Sequence, residues 1–148
     1  MNDDNVETAG RAAADDGMVV DNRSPYMTLV GPVLRRGSAD VFVVHAQEKH
    51  NNVAGVVHGG MLATLLDNVM GRVATKAVGG KPVATIQLNT YFLSSVSPGD
   101  SIECEARVVR AGASIVFMQG TLRVGPRAVA TGDGVWKILV QTMHDPAA

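Results

Sequence analysis

Apolar side chains recur along this chain first at strand spacing, then at helical spacing, then at strand spacing again. Residues 28–36 and 39–46 are rich in β-formers and meet at Gly37-Ser38, which predicts a hairpin. Over residues 58–78 the positions Met61, Leu62, Leu65, Leu66, Val69, Met70, Val73 and Ala77 follow at steps of three, four and one, as in an amphipathic helix. Gly79-Gly80, with Pro82 just beyond, predicts its end. Only strands are predicted after it. A long one covers 83–96, and Ser97-Pro98-Gly99-Asp100 turns the chain. Ile102, Cys104, Ala106 and Val108 then alternate with Glu103, Glu105 and Arg107, the pattern of a half-buried antiparallel strand. Turns at Ala111-Gly112-Ala113 and Gly125-Pro126 lead into 114–124 and 128–140. Two strands, one long helix and four strands leave no second helix for another sheet face. An α+β fold with one antiparallel sheet wrapped around the helix suits that order better than a βαβ design.

The chain ends break the pattern. Asp3, Asp4, Glu7, Asp15, Asp16 and Asp21 sit among Asn, Ala and Gly, so residues 1–24 read as a disordered acidic tail that cannot offset its ordering entropy. A single domain is expected over 25–141, starting with a helical turn near Ser24-Pro25-Tyr26, and a short tail over 142–148. The length of 148 residues suits this division. With 13 Lys and Arg against 14 Asp and Glu, a net charge of −1 argues against a nucleic-acid binder with a large basic surface. No apolar run approaches about 18 residues and no basic-then-apolar segment opens the chain, so no membrane span or secretory signal is expected and the cytoplasm is the expected location. The single cysteine, Cys104, permits no internal disulfide and no cysteine cluster for zinc. No metal or redox cofactor is expected.

Candidate chemistry concentrates where the helix begins. The run His50-Asn51-Asn52-Val53-Ala54-Gly55-Val56-Val57-His58-Gly59-Gly60-Met61 leads into a helix carrying Asp67. Backbone N–H groups at Gly59-Gly60 lack intrahelical partners and stand at the positive end of the helix dipole. Without Cβ atoms, these glycines let a ligand carbonyl approach, which suits an oxyanion site built from main-chain donors. Asp67 lies off the apolar stripe, among Gly60, Ala63, Gly71 and Ala74. So small a face suits close approach of another backbone, as at a subunit interface. Partial desolvation there would raise the carboxyl pKa and suit a base or nucleophile. Eight residues of helix separate Gly59 from Asp67 by about 12 Å, too far for both to touch one carbonyl carbon. If both act on one bond, they come from different subunits across a two-fold axis, and the working unit is a homodimer with two equivalent sites.

His58-Gly59-Gly60 followed by Asp67, after Asn52 and before a long strand with Thr85, resembles the hotdog-fold acyl-CoA thioesterases of the phenylacetyl-CoA type. The likeness spans roughly residues 25 to 140, and the strand order agrees with it. It implies a sheet wrapped around a long central helix, subunits paired edge to edge into a continuous sheet, and dimers associating into tetramers. It implies that Gly59 N–H polarises the thioester carbonyl and that Asn52 positions water or supports the carbonyl site. Asp67 from the partner subunit becomes base or nucleophile, and Thr85 takes the place of the Ser or Thr that orients water beside it. His58 helps hold the loop and the thioester. Gly60, Met61, Asn68 and Ser114 are expected to contact substrate, with Met61 lining an acyl pocket and Arg110 facing the coenzyme A phosphates. The implied reaction hydrolyses an aryl-acetyl- or medium-chain acyl-CoA to free acid and CoA without metal or redox cofactor.

One departure stands out. The family often carries a second basic residue after the turn glycine, whereas this chain has Arg110-Ala111-Gly112-Ala113, so that phosphate anchor is missing. Two rivals share the fold. An enoyl-thioester hydratase needs a His paired with a carboxylate, and no Asp or Glu follows His58 within a turn. A non-catalytic acyl-CoA sensor would bind without hydrolysis. The other conspicuous residues carry structural expectations. His45 and His50 belong to surface or loops, Cys104 to the core as an inert thiol, Trp136 to the core or an interface, and Arg72 and Lys76 to the solvated helix face.

Overall fold

The computed structural model describes residues 17–21 and 24–140, so the expectations for residues 1–16 and 141–148 fall outside it. Strand β1 (Met18–Val20) comes first, then a short helix α1 (Pro25–Val30), β2 (Leu34–Arg36) and β3 (Val41–His45). A 3₁₀ turn (Glu48–His50) and a loop lead into the long helix α2 (Gly59–Ala77). Strands β4 (Val83–Phe92), β5 (Ser101–Ala111), β6 (Ile115–Val124) and β7 (Arg127–Ile138) complete the chain. All seven strands form one antiparallel sheet in the order β1-β2-β3-β5-β6-β7-β4, folded around α2 as the hotdog fold requires. No described helix is long and apolar enough to cross a membrane.

The apolar stripe of α2 explains where it sits. Leu62, Leu65, Leu66, Val69, Met70 and Val73 are buried against Ile102, Cys104, Val116, Met118, Leu122 and Trp136 from the inner face of the sheet. Glycines set how closely helix and sheet approach. Gly120 and Gly132 face each other across β6 and β7, and a Cβ on either would stand 2.9–3.2 Å from Leu66, Met70 or the Asn89 carbonyl oxygen. This bare patch lets α2 sink into the sheet and the sheet bend around it. Burial pushes the Cys104 thiol far above its ordinary range, with Glu103 adding to the effect, so it is an inert core group.

Four sequence expectations need correction. Residues 28–30 finish a helix and do not begin a strand. Ser24 accepts a hydrogen bond from Met27 N–H, Pro25 opens the helix, and this cap outweighs the β-propensity of Thr28 and Val30. The tail expected through residue 24 is structured over 17–21, where Met18–Val20 pairs with β2 and Asp21 is held by Arg72 (2.7 Å) and Arg35 (3.5 Å). Arg72 is accordingly not on a solvated face. Its side chain is 10% exposed and its guanidinium lies 5.5 Å from the centre of the Phe42 ring. The small-residue face of α2 is also less open than expected. Ala74 is fully buried and Gly71 faces the Trp136 indole nitrogen, because the curled sheet covers more of the helix than its apolar arc. Only Gly60 and Ala63 of that face line an open groove.

Candidate active site

The loop before α2 is tied down at both ends. Asn52 Oδ1 accepts from Ala54 N–H (2.8 Å) and Val56 N–H (3.4 Å), Asn52 N–H reaches the Val56 carbonyl, and Gly55 supplies the positive φ of +79° that the turn needs. The Asn52 oxygen is therefore taken up by the loop, and its amide nitrogen is what remains to reach a ligand. His58 N–H donates to the His50 carbonyl oxygen (2.7 Å).

His58 caps the helix, and this corrects the expectation for the two glycines. Its Nδ1 accepts from Gly60 N–H at 2.8 Å, and its carbonyl accepts from Met61 N–H at 2.9 Å. Of the donors that open α2, only Gly59 N–H has no acceptor among the described residues. An accepting Nδ1 leaves the ring proton on Nε2, and the ring is exposed. Both glycines leave little room for a side chain. A Cβ at Gly60 would stand 3.0 Å from His58 Nδ1, and one at Gly59 would stand 3.2–3.5 Å from three ring atoms of Phe92.

Eight residues further on, Asp67 meets Thr85. The Thr85 hydroxyl donates to Asp67 Oδ1 at 2.7 Å. A bulge places Ile86 as an extra residue between Thr85 and Gln87, so Thr85 faces the helix opposite Trp136. Asn68, next along the helix, has its Oδ1 closed off from solvent with no hydrogen-bond partner among the described residues. A groove of about 420 Å³ runs along this face, lined by Gly60, Ala63, Thr64, Asp67 and Asn68 of α2, Leu88 of β4, and Tyr26 and Met27 of α1. Met61 and His58 line a neighbouring groove of about 370 Å³ with Tyr26, Leu29 and His50.

Arg110 and Ser114 are not brought to this place. Arg110 lies in one row of the sheet with Phe117, Val135 and Gln87, on the face turned away from α2. Three strand spacings, about 14 Å, separate it from Gln87. Ser114 lines a groove beyond the C-terminal end of α2 with Gly79, Gly80, Lys81 and Lys137.

His50, expected at the surface or in a loop, ends the 3₁₀ turn and is only 7% exposed. Its Nδ1 accepts from Gln47 N–H (3.0 Å), so its Nε2 carries the proton and donates to the Val30 carbonyl oxygen at 2.5 Å. One imidazole thus fastens α1 to the loop that presents His58. Both partners are backbone groups remote from any motif, which is why sequence spacing gives no sign of it. His50→Phe keeps the volume but strands both groups, and is expected to cost about 2–4 kcal/mol of stability in urea unfolding. A loss below about 0.5 kcal/mol would show that neither bond matters in solution.

Comparison with known proteins adds an independent line. The sequence profile of the thioesterase superfamily matches residues 54–131, the stretch from the loop before α2 into β7. A Pseudomonas aeruginosa protein named as an esterase is 34% identical over 119 residues, covering 78% of this chain and 89% of its own. Acyl-coenzyme A thioesterase 13 of Homo sapiens is 28% identical over 98 residues, 66% of this chain and 64% of that protein. Among solved structures, a conserved protein of Pseudomonas aeruginosa superposes with a TM-score of 0.74 at 28% identity, covering 79% of this chain and 95% of its own.

Proposed function

Because the chain belongs to the thioesterase superfamily, and on that ground is a hydrolase of acyl-CoA thioesters, we propose that it cleaves an aryl-acetyl- or medium-chain acyl-CoA to free acid and CoA at sites shared between two copies. The observation that carries the shared site is the way β4 spans the two halves of the chemistry. Thr85, near its start, holds Asp67, while Phe92, at its end, lies against Gly59. Within one copy these halves stand about 12 Å apart along the helix. Strand β4 is also the sheet edge, paired with β7 on one side only. Antiparallel pairing of two β4 edges about their middle residues, Gln87 to Asn89, carries Thr85 and Asp67 to the end of the partner's strand, beside the partner's Gly59. Such pairing also covers an edge that would otherwise leave backbone groups unpaired.

In this arrangement the thioester carbonyl oxygen accepts from Gly59 N–H at the positive end of a 19-residue helix. Thr85 occupies Asp67 Oδ1 and leaves Oδ2 free for a water molecule. Water attacks the carbonyl carbon as its proton passes to Asp67, and the oxyanion is held at Gly59. Collapse expels the CoA thiolate, which takes the proton back from Asp67, so acid and thiol are the only products. His58 holds Gly60 and the helix start, Asn52 fixes the loop, and Gly60, Met61 and Asn68 line the grooves that receive substrate. Arg110 and Ser114 would meet the nucleotide end only outside the protomer's own grooves along Gly60–Asn68. Exposed Val109 and Phe117 on the outer sheet face offer a surface on which dimers pair into tetramers. A CoA thioester substrate is consistent with the cytoplasm as the compartment of this reading.

Thiol release from a panel of acyl-CoAs, followed with a thiol-reactive chromophore, tests the reading. Release from aryl-acetyl or medium-chain thioesters is expected. Binding without release would make the protein a sensor, and loss of enoyl absorbance without free thiol would make it a hydratase.

A further inference from the structure

We infer that Phe92 determines which acyl groups the enzyme accepts, by standing as a wall beside the α-carbon of the bound acyl chain. The inference rests on the hydrolase reading above and on three features of this ring. It points inward, since its opposite residue on β7 is the fully buried Ala130. It lies against Gly59, the residue whose N–H has no acceptor. It is nevertheless 54% exposed. An aromatic side chain this exposed is not a core residue, unlike its cross-strand partner Ala130, which is fully buried.

The contact has a chemical consequence. A Cβ on Gly59 would already stand 3.2–3.5 Å from the ring, so an acyl group whose carbonyl oxygen reaches Gly59 N–H arrives beside that ring. An unbranched or flat acyl group can lie along the ring face. A second substituent on the α-carbon meets the ring edge. The ring also gives the acyl chain an apolar surface to lie on beside Gly59. The two effects act together. Phe92 favours acyl groups with a CH₂ next to the carbonyl, the aryl-acetyl and straight-chain classes, over α-branched ones.

Butyryl-CoA and isobutyryl-CoA test this cleanly, because they contain the same atoms and differ only in branching at the α-carbon. The wild-type chain is expected to prefer butyryl-CoA in kcat/KM by about tenfold or more, the scale of one misplaced methyl in a shaped pocket. In Phe92→Ala the ratio is expected to fall to about threefold or less, while Phe92→Tyr, which keeps the ring, retains it. Melting temperatures at one protein concentration check that each variant folds and pairs, and a ratio taken within one variant does not depend on the fraction folded. No preference in the wild type, or an unchanged ratio in Phe92→Ala, would overturn the assignment. If the wild type releases no thiol from any acyl-CoA, the hydrolase reading fails on its own account. The same two thioesters and variants then decide the role of Phe92 by calorimetric Kd ratios, since the wall acts on the bound acyl group with or without turnover.

Discussion

Asp67→Asn and Asp67→Ala are each expected to lower kcat for thiol release by about 10³-fold or more, with KM for the acyl-CoA little changed. The comparison is informative because Asn keeps an oxygen that can accept from the Thr85 hydroxyl, at 2.7 Å in the native chain, and discards only the charge. Should Asn and Ala fail alike, the carboxylate is doing proton chemistry and not merely holding β4 against α2. Stability is expected to move little in Asp67→Asn, which keeps an acceptor for Thr85, and by about 1 kcal/mol in Asp67→Ala, the net worth of one hydrogen bond. Thr85→Val should then fall between wild type and Asp67→Asn, since it frees the carboxylate to rotate without removing it. A single turnover in ¹⁸O-labelled water separates water attack from attack by Asp67 itself. Unlabelled acid in the first turnover would put Asp67 on the carbonyl carbon with water then attacking the Asp67 carboxyl, whereas label in the acid shows that water reached the acyl carbon, as base catalysis requires. Full turnover by Asp67→Ala would overturn the proposed site as a whole.

What could be read from the sequence was whatever depends on local period and local chemistry. The helix over 58–78 was legible because Leu62, Leu65, Leu66, Val69 and Val73 have no reason to recur at that spacing except to bury one stripe, and they do. The His-Gly-Gly start was legible as a helix opening. Its consequence was not, because the count of free donors depends on a His58 rotamer that takes one of the two glycine N–H groups. Long-range contacts explain the other misses. Asp21 looks like one more acid in a polar tail, and only the folded sheet brings it to Arg72, fifty-one residues away. His50 acquires its meaning from the carbonyl of Val30. Gly71 and Ala74 were read as an open face because a helical wheel cannot show how far a sheet curls. That curl is set by Gly120 and Gly132, two small residues with no pattern of their own. Strand β4 combines both cases. Its apolar run was plain, but the pairing of Asp67 with its start and Gly59 with its end required the fold.

That division of one strand between two half-sites leads to the second large effect. Gly59→Pro deletes the one N–H of the helix start that has no acceptor among the described residues, and adds a Cβ against Phe92. Proline is at home in the first helical position, and His58 before it already has φ −62° and ψ 134°, the extended geometry that a residue before proline adopts. Loss of the oxyanion donor is expected to cost about 10²–10³ in kcat. Gly59→Ala serves as the control, because it keeps the N–H while pressing a Cβ on the Phe92 ring in the same way. It should retain far more activity than the proline variant. Gly59→Pro and Asp67→Ala, each inactive alone, can then be unfolded together and refolded as a mixture. If each site takes Asp67 from one copy and Gly59 from the other, every mixed dimer regains one intact site of its two. Random pairing makes half the dimers mixed, so the mixture should recover about a quarter of wild-type activity. Sites built within single chains predict no recovery at all, since each chain then carries its own defect. The measured fraction therefore decides whether the 12 Å between Gly59 and Asp67 is spanned by a second copy, independently of which acyl group the enzyme prefers.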